Sequence, residues 1–589
     1  MGWVSSTFPV EAGIRQGCPF SPLAFILALE LFAIKLRADR SVKGLALPHI
    51  TSAQALLLKL TMYADDMSLY LKDKTDAERI LSLVYQFSLF SGLEINRHKS
   101  ELMWLGSAKN NNEDLFGIKS KKKIKILGVF FSNATPAASI EENWEKRLEK
   151  VSRLTALWTK RNLSIAGKIC VVKSLLLSQF TYIMQALVIP KEVLARLNTI
   201  IFRFIWKKKF SNTRAFEKVK RSILCKDYGE GGLKMINVTD MQISFLLSWA
   251  LKLQNNISKW TQIPRYYFNQ LGSLSCFQSD LKSKMFAGTS LVKNPFWKQV
   301  LLIWLDYKSR ALPHKEVLCH FKDETIWNNK LVTYRGKTLF FRDWAKAQVF
   351  CVRDVWPEVE MKSFEQICQT VGYKPTRLFE YNAVRTALKV LQSRCHNEHL
   401  TRSCYQQELS RTYTAKQIRE NLVESGSDTS NAIKFWSKKL GITISKNHWN
   451  VVRLCTSETR LRLLHWKIIS NIYPTNILLS KMGIKLTNRC DFCSEIDFVE
   501  HFFWSCPKVR PVWKAATDLI YKKLEVQVSL TMSDVLFGYQ INNKNSRHRL
   551  INHIIIIAKM CVGMFRYGKR LDLVSIFERE IETRSRFLW

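Results

Sequence analysis

The sequence is short of acidic residues. It contains 90 Lys and Arg but only 49 Asp and Glu, which leaves a formal net charge of +41 at pH 7. A field of that size needs a polyanionic partner or a strongly acidic companion protein to offset it, and nucleic acid is the leading candidate. The alternative is a basic protein whose charge only keeps it soluble.

The sequence also lacks a disulfide framework, a secretory signal and an uninterrupted membrane span. Its 14 cysteines are scattered over 589 residues, which is typical of thiols in a reducing compartment, so we expect a cytoplasmic or nuclear protein. The apolar stretch at residues 20–36 contains Glu30 and Lys35, and the run at residues 554–564 contains Lys559 and is too short to cross a bilayer. We expect both to be buried helices, and we expect no membrane partner.

The pattern of apolar residues changes along the chain. Ser21 and Pro22 predict a helix start, with the Ser21 hydroxyl as cap and Pro22 at the first helical position. A helix over 76–91 that stops at Gly92 and a strand over 124–132 are also predicted. From about residue 133 onward long helical periods with interspersed charges dominate, so an α/β part gives way to a helical one.

Residues 56–71 place two β-prone apolar runs on either side of Ala64, Asp65 and Asp66, which predicts a hairpin with acids at its tip. Adjacent carboxylates in apolar surroundings repel each other, and a divalent cation such as Mg²⁺ would neutralise them. By itself, an Asp-Asp pair is more often only a solvated turn. The surrounding segments therefore decide between the two interpretations.

Several segments together resemble one family. RQGCPFSP at residues 15–22 and the acidic hairpin resemble motifs B and C of reverse transcriptases, in the form found in LINE-type, non-LTR retrotransposons. FSGLEINRHKSELM (Phe90–Met103) resembles motif D, KILGVFF (Lys125–Phe131) the primer-grip strand, and FIWKKK…GEGGLKMINV (Phe204–Val238) the region beyond the thumb. Five matches in order are far more specific than any one of them.

The resemblance implies template-directed addition of deoxynucleotides to a primer 3′-hydroxyl, with an RNA template and a DNA primer or target as partners. It implies that Asp65 and Asp66 hold Mg²⁺ and that Tyr63 lies beside the primer end. Lys99 is a candidate proton donor to pyrophosphate, and an exposed lysine without a role is the alternative. Other parts of a retrotransposon ribonucleoprotein are further possible partners.

The same resemblance assigns positions around the substrates. Arg15, Gln16 and Gly17 are expected to border the incoming nucleotide and the template, where glycine permits close backbone approach. Leu127 and Gly128 are expected in the primer grip.

One departure from the family pattern concerns a further aspartate, on motif A, which bridges both metal ions upstream of motif B. Only twelve residues precede Gly13, and Glu11 is the sole acid among them. We therefore expect an N-terminally truncated protein whose active site lacks this carboxylate and polymerises poorly alone, because electrostatic positioning is most of what such an enzyme contributes.

A second set of candidate ligands lies near the C-terminus. Cys490, Cys493, His501 and Cys506 have the spacing C-x2-C-x7-H-x4-C, and three thiolates with one imidazole suit structural, tetrahedral Zn²⁺. The alternative is a set of core cysteines beside a satisfied histidine. The flanking segments Leu463–Ile484 and His501–Trp513 resemble the zinc-knuckle tail of LINE proteins, which implies a role in nucleic-acid binding.

The segment Arg203–Phe210 interleaves aromatic and basic side chains. It either lies along a primer–template duplex, with lysines at phosphates, or places Phe204 and Trp206 in the core with solvated lysines around them.

We thus expect an α+β protein in which a partial reverse-transcriptase palm, with a hairpin-containing antiparallel sheet, precedes a largely helical thumb and C-terminal region. The competing hypotheses are a polymerase fragment, a catalytically inactive nucleic-acid-binding protein derived from it, and an unrelated zinc-containing helical interaction protein. The predicted segments are the palm at 1–132, the thumb at 133–215, a helical connector at 216–450, the zinc-knuckle-like module at 451–520 and a C-terminal helical segment at 521–589.

Overall fold

The computed structural model of the protein describes most of the chain, in the ranges 17–47, 57–206, 217–255, 258–268, 271, 275–278, 281, 292–311, 321–375, 377–397, 414–424, 429–541, 545–568 and 572–585. The chain divides into two compact units, and both are discontinuous in sequence. The first unit comprises residues 1–145, 249–308 and 314–412, and the second comprises 146–248, 309–313 and 413–589.

The described strands pair only in two-stranded ladders, of which one is parallel and the others antiparallel. The pairs are β1 (Leu45–Ala46) with β2 (Leu57–Leu58), β3 (Leu60–Tyr63) with β4 (Asp66–Leu69), β5 (Glu101–Leu102) with β6 (Lys119–Ser120), β7 (Lys123–Ile126) with β8 (Val129–Ser132), and β9 (Thr333–Tyr334) with β10 (Lys337–Thr338).

Helices make up most of the described chain. In order they are α1 (Ser21–Ala38), α2 (Lys74–Ser91), α3 (Lys146–Thr159), α4 (Ile165–Val171), α5 (Ser178–Ala186), α6 (Lys191–Trp206), α7 (Arg221–Cys225), α8 (Val238–Asn255), α9 (Gln262–Phe268), α10 (Ser275–Gln278), α11 (Pro295–Ala311), α12 (Arg342–Lys346), α13 (Val352–Val355), α14 (Phe364–Val371), α15 (Arg377–Asn397), α16 (Ala415–Glu424), α17 (Asn431–Leu440), α18 (Lys446–Cys455), α19 (Thr459–Ile469), α20 (Asn476–Lys481), α21 (Arg510–Leu524), α22 (Met532–Phe537), α23 (Ser546–Tyr567) and α24 (Leu573–Ser585). A mostly helical protein with small ladders is thus observed, and its division into palm, thumb and connector stays a prediction.

The helix α1 is less buried than the sequence predicts. Its Phe32, Ala33 and Leu36 are buried and belong to a core formed with α2 and the β3–β4 hairpin. The opposite side of the helix is exposed, including Leu27 and Leu31. The expectation that the whole helix lies inside the protein is therefore wrong for the described structure, because only one side has packing partners there.

The start of α1 also differs from the prediction. Ser21 is the first residue of the helix and not its cap, and Phe20 occupies the cap position without a side-chain cap hydrogen bond. By contrast, α2 ends as expected, because Gly92 adopts a left-handed conformation with φ 67° that glycine accommodates without strain.

A buried carboxylate fixes the segment that leads into α2. Asp76 is fully buried and accepts hydrogen bonds from backbone N–H groups on two separate stretches of chain, those of Lys43, Gly44 and Lys72. Such charge-assisted bonds are about twice as strong as neutral ones. The loop before β1 is thereby tied to the end of the β3–β4 hairpin.

The predicted strand over 124–132 is instead the hairpin β7–β8. Ile126 pairs with Val129, so Leu127 and Gly128 form a two-residue turn in which both have positive φ, 45° and 82°. Two positive φ values define a type I′ turn, whose twist matches that of the flanking strands. The single-strand prediction was wrong because the apolar run continues through the turn and hides it.

In the second unit a glycine-rich loop requires its glycines. A Cβ atom on Gly232 would lie 1.9 Å from the carbonyl oxygen of Lys226, and one on Gly231 would lie 2.7 Å from the Trp449 ring. The indole N–H of Trp466 donates to the Gly231 carbonyl at 2.8 Å. This loop, within the segment that resembles the region beyond the thumb, therefore packs directly on α18 and α19.

The long helix α23 lies at the centre of the second unit. Its 22 residues meet the length and hydropathy of a membrane span, as do Ile165–Leu176 and Ser178–Ala186 if that pair, bent by 45°, is taken as one span. However, 67% of the apolar window of α23 is buried inside the protein, where α18, α19, α21 and α24 pack against it. The helix is longer than the sequence pattern indicated, and its predicted burial is confirmed.

Lys559 lies within α23 and is only 1% exposed. Its ammonium nitrogen is 3.3 Å from the carbonyl oxygen of Leu536, and burial lowers the pKa of Lys559 from 10.5 to about 7. Since the unfolded lysine keeps its ordinary pKa, the unfolded chain binds more protons between those two pH values. Wild-type stability should therefore rise with pH across that window.

We expect the substitution Lys559→Met to raise the free energy of unfolding by about 1–4 kcal/mol at pH 7, because it removes the cost of burying an ammonium group. The gain should shrink as the pH is raised to 9.5. Urea unfolding followed by circular dichroism at both pH values would measure it, with exposed Lys514→Met on α21 as control. A destabilised Lys559→Met protein at pH 7 would contradict the prediction.

Candidate metal centres

The β3–β4 hairpin carries its two acids at an exposed tip. Tyr63 pairs with Asp66 across the ladder, and Ala64 and Asp65 form the two-residue turn, with Ala64 at φ 49°. Tyr63 is 71% exposed, and both carboxylates are exposed as well. The predicted acidic hairpin is confirmed.

The surroundings of this tip differ from those assumed from the sequence. Both carboxylates face solvent instead of apolar residues, so water screens their repulsion and the pair does not by itself demand a cation. Among the described residues no third acid, histidine or cysteine joins them in a metal-ligating cluster. The tip therefore offers two accessible oxygen ligands for a hard cation.

The base of the hairpin is anchored by a buried lysine. Lys59 precedes β3, and its ammonium group donates to the carbonyl oxygens of Arg37 and Asp39 at 3.0 and 2.6 Å. A cation at these carbonyls, at the end of α1, interacts favourably with the helix dipole. Lys59 thus ties the base of the hairpin that carries Asp65 and Asp66 to the end of α1. The sequence pattern did not predict this contact.

Of the remaining predicted palm residues, Arg15 and Gln16 lie outside the described part of the chain. Gly17 is exposed with φ 87° and has open space around the position of a Cβ atom. Lys99 lies in an exposed turn, where its backbone N–H donates to Asn96. The roles predicted for these residues and for Leu127 and Gly128 stay predictions.

The four predicted zinc ligands come together in the second unit. Cys490, Cys493, His501 and Cys506 place their ligand atoms within 4.8 Å of one another. The sulfurs of Cys493 and Cys506 are 3.9 Å apart, and Zn–S bonds of about 2.3 Å in a tetrahedron would place them about 3.8 Å apart. Donor types and spacing therefore fit Zn²⁺.

Two local structures present these ligands. The first is a tight turn after Cys490, whose N–H donates to the Glu495 carbonyl, and the N–H of Phe492 points at the Cys490 sulfur at 3.4 Å. The second is the π-helical turn His501–Ser505, closed by a hydrogen bond from the Cys506 N–H to the His501 carbonyl. Cys490 and Cys493 thus lie on one turn, and His501 and Cys506 lie on a second element.

Two residues of the cluster, His501 and Cys490, have shifted pKa values that favour their neutral forms. Burial lowers the pKa of His501, and Arg566 lowers it further, which keeps the imidazole in the form that binds metal. Burial also raises the pKa of the Cys490 thiol to about 11, although the Phe492 N–H and Arg566 act in the opposite direction. Metal binding must therefore displace a proton from this thiol.

A buried ion pair beside the cluster was missed by the sequence analysis. Arg566 on α23 donates to Asp497 at 2.5 Å, and both side chains are nearly inaccessible. Asp497 lies between the two ligand pairs, but Arg566 follows Cys506 by 60 residues. The only sequence feature that pointed to this ion pair was a basic residue, Arg566, near the end of an otherwise apolar helix.

The aromatic residues near the end of α6 belong to the core. Phe204 is buried and Trp206 is half-buried, while Arg203 is exposed. The ammonium group of Lys168 lies 5.7 Å from the centre of the Phe204 ring. This favours the core interpretation for the two aromatics, and residues 207–210 lie outside the described structure.

Comparison with known proteins gives one family match over each of the two segments that hold these residues. Residues 1–131 match the family "Reverse transcriptase (RNA-dependent DNA polymerase)", and residues 413–513, which include all four cluster residues, match "zinc-binding in reverse transcriptase". The "Transposon TX1 uncharacterized 149 kDa protein" of Xenopus laevis is 29% identical over 201 residues, which are 33% of this chain and 15% of that protein. A protein of Arabidopsis thaliana named as a candidate ribonuclease H is 30% identical over 118 residues, 20% of this chain and 19% of that protein.

These matches place a reverse-transcriptase domain at residues 1–131 and a zinc-binding region of the reverse-transcriptase type toward the C-terminus. The similarity to a transposon protein agrees with the resemblance of residues 1–131 to the reverse transcriptases of non-LTR retrotransposons. The chain spans less than a fifth of the length of either curated relative.

We expect Cys493→Ser to abolish stable zinc binding, because a hydroxyl is a poor replacement for one of three thiolates in a closed site. Zinc content after dialysis, measured by plasma mass spectrometry, should fall from about one equivalent to near zero. The exposed Cys170→Ser should retain full zinc. Equal zinc content in both variants would show that the cluster is not the site.

Proposed function

We propose that residues 1–131 carry the active site of an RNA-directed DNA polymerase, in which Asp65 and Asp66 hold Mg²⁺. The observation that carries this proposal is the β3–β4 hairpin, which presents both carboxylates at an exposed tip within the matched domain. Bound Mg²⁺ would activate the primer 3′-hydroxyl and stabilise the leaving pyrophosphate. The chain's own part is to position the primer end and the deoxynucleotide beside the tip.

The positions of other residues support distinct roles in this proposal. The exposed ring of Tyr63, on the strand that leads into the tip, is available to contact the primer end. Arg15, Gln16 and Gly17 would border the nucleotide and the template, and Lys99 would donate a proton to pyrophosphate. The type I′ turn of Leu127 and Gly128 would contact the primer strand.

We further propose that the Cys₃His cluster binds structural Zn²⁺ and helps the second unit to hold nucleic acid. Four protein ligands leave no open coordination position, so the metal would stabilise the fold and take no part in the chemistry. The match of residues 413–513 and the ligand spacing support this assignment.

Primer extension on an RNA template with Mg²⁺ would test the polymerase. We expect Asp65→Asn and Asp66→Asn each to lower incorporation of deoxynucleotides by at least 100-fold, because each removes a negative ligand from the cation. Exposed Glu78→Gln, on α2 of the same unit, is the matched control and should leave incorporation unchanged. Incorporation that survives both aspartate substitutions would reject the proposed site.

A second candidate function is nucleic-acid binding without catalysis. The observation that favours it is the net charge of +41, which calls for a polyanionic partner.

Nucleic-acid binding and primer extension, measured together, distinguish the two candidates. We expect affinity for an RNA–DNA hybrid to fall by roughly 10³-fold or more between 50 and 200 mM salt if six or more phosphates are contacted. Filter binding and primer extension should be measured on the same preparation. Tight, salt-sensitive binding with no incorporation would establish the binder, and salt-independent binding would exclude phosphate contacts as its basis.

A further inference from the structure

Arg566 belongs to α23, yet its guanidinium reaches the candidate zinc cluster. Its Nη2 atom donates to the Cys490 sulfur at 3.3 Å and to Asp497 Oδ1 at 2.5 Å. The guanidinium also lies over the Phe502 ring at 4.1 Å. The side chain is 3% exposed, so these partners replace water as its surroundings.

We propose that Arg566 is a positioning residue of the metal centre, which holds the Cys490 thiolate and thereby couples zinc loading to the docking of α23. The inference rests on the proposed zinc site. A Zn²⁺ ion with three thiolates and a neutral imidazole carries one net negative charge, which is costly in a buried site. The guanidinium of Arg566 supplies a positive charge in hydrogen-bond contact with that cluster.

Asp497 fixes both the arginine and the ligand turn. One of its oxygens accepts from Arg566, and the other accepts the backbone N–H of Asn476 at 2.8 Å. The amide of Asn476 in turn donates to the carbonyl oxygen of Arg489, the residue before Cys490, at 2.7 Å. The guanidinium, the carboxylate and the first ligand thus form one hydrogen-bonded assembly, in which moving one member disturbs the others.

The helix that carries Arg566 extends this coupling away from the metal. α23 packs on α18, and α18 packs on the turn Tyr228–Glu230 of the glycine-rich loop. Coupling between binding and helix docking is reciprocal. If Arg566 favours zinc, then bound zinc must favour the docked position of the C-terminal end of α23 to the same degree.

The first experiment measures zinc affinity of the full chain by competition with a chelator of known affinity. Arg566→Met should weaken binding by about 10- to 100-fold, the range typical of outer-shell partners. Arg566→Lys retains the charge and should recover part of the loss. Exposed Arg547→Met, on the same helix but at its other end, should bind as wild type does.

A spectroscopic readout separates a contact with the thiolate from general stabilisation. With Co²⁺ in place of zinc, the sulfur-to-metal charge-transfer band reports the energy of the thiolate lone pairs. Loss of the hydrogen bond from Arg566 should move this band to lower energy in Arg566→Met and less so in Arg566→Lys. An unchanged band in both variants would overturn the proposed contact.

Removal of Arg566 leaves Asp497 buried without its partner, which is itself destabilising. The double variant Arg566→Met with Asp497→Asn removes both charges and should fold better than Arg566→Met while still binding zinc weakly. Wild-type zinc affinity in a folded double variant would overturn the proposal.

Amide hydrogen exchange of the wild-type chain tests the coupling between zinc binding and α23 docking without any substitution. Zinc removal should increase exchange in the last turns of α23, near Arg566, more than in its first turns. Equal exchange with and without zinc there would overturn the coupling. If Cys493→Ser binds zinc with wild-type affinity, the zinc assignment itself fails. If Cys493→Ser loses zinc but the Arg566 variants bind it with wild-type affinity, the zinc assignment stands and the inference about Arg566 fails.

Discussion

Burial of α23 is the constraint on which the second unit depends. Residues Ile551–Gly563 are buried almost without interruption, and each large aliphatic side chain among them contributes about 1.5–3 kcal/mol by leaving water. That gain offsets the cost of two buried cations on the same helix, Lys559 and Arg566. The cost is reduced in a different way for each cation. Burial lowers the pKa of Lys559, whereas Arg566 forms an ion pair with the buried carboxylate of Asp497.

The two candidate centres differ in burial and in how far apart in sequence the residues that hold them lie. Three residues of the Cys₃His cluster are buried and Cys493 is half-buried, and α22 and α23 pack against the turn that carries His501, so the geometry of the cluster depends on the core of the second unit. The acidic tip is exposed and is set by one two-residue turn, with Lys59 and Asp76 holding the chain beneath it. A closed centre of the first kind suits a metal that stabilises structure, and an open tip of the second kind suits ligands that enter and leave during each reaction cycle.

Sequence patterns predicted what is local in this chain. Two β-prone apolar runs located the β3–β4 hairpin, Gly92 marked the end of α2, and ligand spacing located the Cys₃His cluster. They did not predict what depends on distant partners. An apolar run concealed the turn at Leu127, and the same kind of run suggested that α1 is buried on all sides. Arg566 and Asp497 could not be paired, because nothing in the intervening 68 residues indicates that α23 passes beside the ligand turn.

The packing of the glycine-rich loop determines how well the coding sequence of this chain tolerates point mutations at Gly231 and Gly232. At Gly232 the carbonyl oxygen of Lys226 occupies the space that any Cβ atom would need, and Gly231 has φ 83° against the Trp449 ring. Every change at the first two positions of a glycine codon introduces a side chain or a stop. A copy that accumulates random point mutations would therefore lose the packing of this loop on α18 by single-base changes, while many surface lysine codons could drift without harm to the fold.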